Sequence, residues 1–150
     1  MAKRAKLRGL SLFANVGIAE AYLKEIGVDM LVANELLPER ARFYQDVYPE
    51  THMITGDITN DRLRTELINE AKQKNVNFVM ATPPCQGMSK AGLKKKTDPR
   101  NSLILVVLKA IKDIRPQFVI IENVPEIISA HINSGGDIVN VTDLFVRERG

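Results

Sequence analysis

The chain has 150 residues, 45% of them hydrophobic and 26% charged, with a net charge of +3 and one cysteine. This suits one globular domain with one core, and it excludes an internal disulfide or a cysteine-built metal framework. No apolar run approaches the ~20 residues that span a bilayer, so no membrane partner is expected.

The basic start (Lys3, Arg4, Lys6, Arg8) is followed only by Leu10, Leu12, Phe13 and Ala14. That run is too short for a signal-peptide core and better suited to a strand. A free thiol makes a cytoplasmic setting the default expectation. Positive charge gathers at residues 3–8 and at Lys94, Lys95 and Lys96. Such clusters fit a polyanion partner, but from charge alone the plainer reading is a solvated tail and a solvated loop.

Residues 9–14 read as a buried strand. Ile18, Tyr22 and Ile26 recur at helical spacing, which predicts a helix over 18–26 stopped by Gly27. Residues 30–34 form a second strand, and Pro38 opens a helix reaching about Tyr48. Residues 52–55 are a third strand. Asn60 or Asp61 caps a helix with Leu63, Leu67 and Ala71 on one face. Residues 78–81 are a fourth strand. Residues 82–101, with Pro83, Pro84, Gly87, Gly92 and Pro99, form a long loop of the kind that usually carries function. An apolar helix, covered on most sides, comes next over 102–114, then a fifth strand over 118–122. A short helix over 126–131 and a turn at Ser134, Gly135 and Gly136 come after it, and the remainder to Gly150 carries no clear pattern.

Alternating strands and helices, with strands too apolar for a wet face, predict a parallel sheet covered on both sides. Right-handed crossovers make it doubly wound, with ligands at the carboxyl ends of the strands. Those ends are therefore the places to search. Ala14-Asn15-Val16-Gly17-Ile18 is a turn into a helix, suited to a nucleotide-like ligand or to no ligand at all. Glu35 can accept both hydroxyls of a ribose, or be a surface glutamate. Asp57 can accept from an adenine amino group while Ile58 packs on the ring, or Asp57 can simply cap a turn. Neither a G-x-G-x-x-G fingerprint nor a Walker A motif is present. The set suits an adenosine-containing cofactor without a pyrophosphate, for which S-adenosyl-L-methionine is the better candidate.

Cys85 comes after two rigid prolines and opens a polar loop, the presentation a nucleophile needs rather than that of a buried small hydrophobe. Glu122 closes four apolar residues, so partial desolvation is expected to raise its pKa and suit it to proton donation. His52 and His131 lie far apart in sequence and read as surface or cap residues, so no metal site is predicted.

With these residues in place, the chain resembles the cytosine-C5 DNA methyltransferases. Pro83-Pro84-Cys85-Gln86 looks like that family's nucleophile motif, Glu122-Asn123-Val124 like its glutamate motif, and Asp98-Pro99-Arg100-Asn101-Ser102-Leu103 like the segment between them. The first motif departs from the family's glycine-rich form, with Asn15 and Ile18 standing where glycines are usual.

The resemblance implies a Rossmann-like S-adenosylmethionine-dependent methyltransferase fold, a doubly wound, mostly parallel α/β sheet with about five of its seven strands present. It implies Cys85 and Glu122 as catalytic residues. Phe13, Ala14, Asn15, Gly17, Glu35, Asp57, Ile58, Pro83 and Leu103 would hold cofactor. Pro84, Gln86, Ser89, Arg100, Asn123 and Val124 would meet substrate. The substrate implied is double-stranded DNA with the target base flipped out, in a restriction-modification setting. Lys94, Lys95, Lys96 and Arg100 then become candidates for phosphate contacts.

Residues 1–150 would be the N-terminal part of the catalytic domain, without a target-recognition domain, as a fragment or as one subunit of a split enzyme. A complementary polypeptide or a second copy would cover the open sheet edge. Two alternatives stay open: a tRNA cytosine-C5 methyltransferase, and a non-catalytic module that binds cofactor or a partner.

Overall fold

The computed structural model describes residues 6–84, 102–129, 131–134 and 137–149. Five parallel strands form the main sheet: β1 (Leu7–Leu12), β2 (Val28–Glu35), β3 (His52–Thr55), β4 (Phe78–Ala81) and β5 (Phe118–Ile121), in the spatial order β3-β2-β1-β4-β5. The order reverses between β1 and β4. This is the Rossmann-like doubly wound arrangement, with its ligand crevice over that switch point.

Helix α1 (Pro38–Val47) joins β2 to β3, α2 (Asp61–Gln73) joins β3 to β4, and α3 (Ser102–Ile114) precedes β5. After β5 come a 3-10 turn (Pro125–Ser129), an antiparallel hairpin of β6 (His131–Ser134) and β7 (Asp137–Asn140), and α4 (Val141–Arg149). The hairpin and α4 were not anticipated from sequence, and the helix expected over 126–131 is the 3-10 turn.

Local chemistry explains where α1 and α2 begin. The Asn60 side chain accepts from the backbone N–H groups of Arg62 and Leu63 at 3.0 and 3.2 Å, satisfying two otherwise unpaired donors of α2. Pro38 occupies the first turn of α1, where its missing N–H is not needed.

One sheet face carries Leu10, Leu12, Val32, Val79 and Ala81, packed by Leu67 and Ala71 of α2 and by Val107, Ala110 and Ile111 of α3. Burying such a side chain contributes about 1.5–3 kcal/mol, so this layer dominates stability. The opposite face carries Val28, Met30, Phe78 and Met80 with Leu7 and Leu23, and α1 covers Ala33 with Tyr44. Gly9 leaves room there: a Cβ would stand 2.2 Å from the Met30 sulfur.

Three expectations are corrected. First, β1 begins at Leu7 rather than Gly9. Second, residues 18–26 are not an α-helix: a 3-10 turn (Ile18–Glu20) leads into further turns up to Gly27. The apolar stripe behind that prediction faces outward, with Ile18, Tyr22 and Ile26 at 80, 74 and 62% exposure. A helix this short draws its stability from packing its apolar face, and among the described residues nothing covers that face. Third, the sheet is not covered on both sides throughout. On β5, Phe118 and Ile120 are 47 and 45% exposed, in register with buried Phe78 and Met80 of β4. Among the described residues, no helix is long and apolar enough to cross a membrane.

Candidate active site

At the carboxyl end of β1 the chain makes an unusual turn. Phe13, Asn15 and Gly17 have φ of 59, 52 and 81°, three left-handed residues at alternate positions. Asn15 is where the sequence departs from a usual glycine, and asparagine is among the residues that tolerate this conformation. Ile18, the other departure, turns its side chain to solvent and leaves the turn unfilled.

Glu35, at the end of β2, is buried. Its Oε2 accepts the Asn15 backbone N–H at 2.9 Å and its Oε1 accepts that of Leu37 at 3.0 Å. A carboxylate has about four acceptor positions, so each oxygen can still accept a further donor. Beside it, the Asn34 amide donates to the carbonyls of Ile54 and Gly56 at 2.8 and 3.1 Å, tying β2 to the end of β3.

Past β3, Asp57 Oδ1 accepts from the Thr59 backbone N–H and hydroxyl at 2.8 and 2.7 Å, so the turn-capping role is present. Its other oxygen makes no hydrogen bond among the described residues. Ile58 is buried in the core below.

These ends enclose a cavity of about 300 Å³. Seven of the residues singled out from sequence line it: Phe13, Asn15, Glu35, Asp57, Ile58, Pro84 and Leu103. Ala14 instead packs with Ala33 and Tyr44, and Gly17 closes the turn over Tyr48. Pro83 is buried and Pro84 exposed. Sequence reasoning overlooked Asn34, Leu36, Leu37, Arg40 and Thr82 in the wall. For Leu36 and Leu37 a signal existed, two apolar residues directly after a strand end and before a helix-starting proline. Arg40 carried none.

The two motif segments meet. The Asn123 side-chain amide donates to the Pro83 carbonyl at 3.0 Å, and the Glu122 N–H donates to the Ala81 carbonyl at 3.0 Å. The turn after β5 is thereby fixed to the prolines after β4. Val124, half-buried beside it, receives a cap from Asn123 Oδ1 at 2.9 Å. Glu122 itself is exposed, not partly desolvated as expected, because it stands past the last paired residue of an edge strand. Cys85, Gln86, Ser89, Lys94, Lys95, Lys96 and Arg100 lie outside the described residues. His52 is exposed, with Nδ1 2.6 Å from Glu70. Among the described residues, no cluster of side chains able to hold a metal ion is present.

Comparison with known proteins agrees with this geometry. A type II methyltransferase of Avibacterium volantium, M1.HgaI, is 38% identical over 152 residues, covering 98% of this chain and 43% of that protein. M1.HphI of Haemophilus parahaemolyticus is 28% identical over 92% of this chain and 37% of its own length. The chain thus spans less than half the length of these relatives. A crystal structure of a Spodoptera frugiperda DNMT2 mutant superposes with a TM-score of 0.67 at 20% identity over 95% of this chain and 40% of that one, a likeness of fold. The family model for C-5 cytosine-specific DNA methylase matches residues 7–141, and the chain therefore belongs to that family.

Proposed function

We propose that this chain carries the catalytic and cofactor-binding half of a DNA cytosine-C5 methyltransferase, with Cys85 as nucleophile and S-adenosylmethionine as methyl donor. The observation that carries the reading is the cavity at the strand ends, walled by the end of β2, by α1 and α3, and by the turns after β1, β3 and β4, inside a family match covering most of the chain.

The lining fits the cofactor chemically. Phe13, Leu36, Leu37, Ile58 and Leu103 supply apolar surface for an adenine ring. Glu35 supplies acceptors for ribose hydroxyls and Asp57 one for an amino group. The volume of about 300 Å³ stands at the lower end of the range for small-molecule sites. Bound S-adenosylmethionine supplies an electrophilic methyl group on a sulfonium sulfur.

The chain's own residues then have separate tasks. Cytosine C5 is a weak nucleophile, so the Cys85 thiolate adds to C6. Glu122 gives a proton to N3, so the electron pair displaced by that addition rests as an enamine that reacts at C5. Loss of the C5 proton to a base, expulsion of Cys85 as thiolate and return of the N3 proton to the Glu122 carboxylate restore the ring. The thiolate is the active form, and an unperturbed cysteine of pKa ~8.5 is only a few per cent ionised at neutral pH. Asn123, anchored on Pro83, keeps the glutamate segment beside the proline turn that leads to Cys85. Stacked bases hide C5 and C6, so the cytosine must leave the duplex first. Pro84, Gln86, Ser89, Arg100 and Val124 are the residues we assign to the extruded base and its strand.

Residues 1–150 are read as the N-terminal part of the catalytic domain. A complementary polypeptide segment completes the sheet at the outer edge of β5, where Phe118 and Ile120 are exposed. The test uses duplex DNA containing 5-fluorocytosine and the assembly that shows activity. Cys85→Ser abolishes covalent trapping, and Glu122→Gln slows it severely. Undiminished trapping by Cys85→Ser overturns the assignment. Trapping on tRNA instead of DNA changes the substrate and leaves the chemistry.

A further inference from the structure

We infer that Tyr48, remote from the cavity, is a positioning residue that holds the left-handed turn of residues 13–17 in its ligand-binding shape. The inference rests on the cofactor reading above and adds a residue that neither the motifs nor the cavity lining identify.

Left-handed residues at alternate positions fold the backbone back tightly, and the N–H groups of Ala14, Asn15 and Gly17 are taken by the Asn34 carbonyl, Glu35 and the Ala14 carbonyl at 2.9, 2.9 and 3.0 Å. The conformation costs about 1–2 kcal/mol for each residue carrying a Cβ, and such backbone persists only where its surroundings over-determine it. Three side chains from three different elements do so here. The Thr82 hydroxyl, past β4, donates to the Phe13 carbonyl at 2.9 Å. Glu35, on β2, accepts the Asn15 N–H at 2.9 Å. The Tyr48 hydroxyl, just after α1, donates to the Gly17 carbonyl at 2.6 Å.

Thr82 and Glu35 also line the cavity, so a bound ligand touches them. Tyr48 does not. It lines a separate cleft with Glu20, Lys24 and Thr51. Its ring fills the space beneath Gly17, where a Cβ would stand 2.2 Å from Tyr48 Cε2. The ring is itself braced by Tyr44, with centroids 4.7 Å apart and planes tilted by 41°. Burial, and then the nearby Glu20, push the Tyr48 hydroxyl pKa up, so it remains a donor through the neutral range.

Tyr44 provides the control. It is fully buried, more so than Tyr48, yet its hydroxyl has no hydrogen-bond partner among the described residues; the neighbouring Thr51 hydroxyl is committed to the Met30 carbonyl at 2.8 Å. Removing that oxygen disturbs the same region without touching the turn.

The experiment compares the 150-residue chain with its Tyr48→Phe and Tyr44→Phe variants. Calorimetric titration with S-adenosylmethionine is combined with amide NMR spectra of the ligand-free and saturated forms. Tyr48→Phe is expected to weaken binding about tenfold, the equivalent of one hydrogen bond. Its ligand-free signals for Asn15, Val16, Gly17 and Ile18 should shift or broaden, and saturating cofactor should restore them. Tyr44→Phe should leave affinity and those signals at wild-type values. Wild-type affinity in Tyr48→Phe, or an equal loss in Tyr44→Phe, overturns the inference. If the unsubstituted chain binds no S-adenosylmethionine, the cofactor reading fails instead. The ligand-free signals then decide alone: unmoved turn resonances in Tyr48→Phe overturn the positioning role, and displaced ones support it.

Discussion

Leu67 on α2 and Phe118 on β5 serve the same sheet in opposite surroundings. Leu67 is fully buried among Leu10, Val79 and Val107, under a layer built by two helices. Phe118 stands on the other face, in register with buried Phe78 of β4, yet nearly half of its surface remains exposed. The apolar stripe of Ile18, Tyr22 and Ile26 is exposed as well. Similar strand chemistry therefore gives a finished layer where helices return over it and an unfinished one where, among the described residues, none does. The turn after β1 is held by Glu35 of β2, by Thr82 past β4 and by Tyr48 past α1. The unfinished surface is where we place the complementary segment.

Four substitutions put this contrast at risk. The largest effect is expected at Leu67→Ala, which should cost about 2–5 kcal/mol in urea unfolding, as large-to-small changes in packed cores do. A cost below about 1 kcal/mol would remove the distinction between the faces. Phe118→Ala should cost less than about 1.5 kcal/mol in the isolated chain, because half of the ring already meets water. If a complementary polypeptide docks there, the same substitution should weaken that association more than it weakens folding.

The third test concerns pH. Glu20 lies buried within the turns of residues 18–27, receives a hydrogen bond from Ser11, and has one oxygen without a partner among the described residues. Burial pushes its carboxyl pKa above 4.5, against the opposing effect of Ser11. The folded form then holds the proton more tightly than the unfolded one. Its contribution to stability is full below pH 4.5 and is lost as pH rises through the raised value. Glu20→Gln keeps an acceptor for Ser11 and removes the ionisation. Its stability relative to wild type should therefore grow with pH, and parallel pH profiles would refute this. The smallest effect is expected at Ile18→Ser, within about 0.5 kcal/mol, since the side chain faces solvent. A loss above about 2 kcal/mol would mean that the 18–27 stripe is packed after all.

Much of the fold was legible because its strands are short, apolar and bounded by turn residues. The predicted limits of the strands at 52–55 and 78–81 and of the helix at 102–114 coincide with β3, β4 and α3. A cap at Asn60 or Asp61 was legible from its position before the Leu63, Leu67, Ala71 stripe, and the structure places it at Asn60. The 18–26 helix failed for a physical reason: periodicity reports a face able to pack, not a partner that packs it. The hairpin of β6 and β7 was missed although Gly135-Gly136 between two short segments is a hairpin signal. Of the cavity, Phe13, Glu35, Asp57 and Leu103 were reachable from the rule that ligands gather at the carboxyl ends of parallel strands, together with the family motifs. Arg40, one turn into α1, was not.

The strand-helix alternation, the family motifs around Cys85 and Glu122, and the positions of the strand ends were all set by the amino-acid sequence alone, because they depend on local pattern and chain order. Tertiary structure was needed to establish that Asn123 anchors Pro83, that Glu122 is exposed, and that Tyr48 reaches Gly17 across 31 residues of sequence. Those facts depend on which side chains meet across the sheet. Local preferences carry no information about such contacts until the strand order β3-β2-β1-β4-β5 is set.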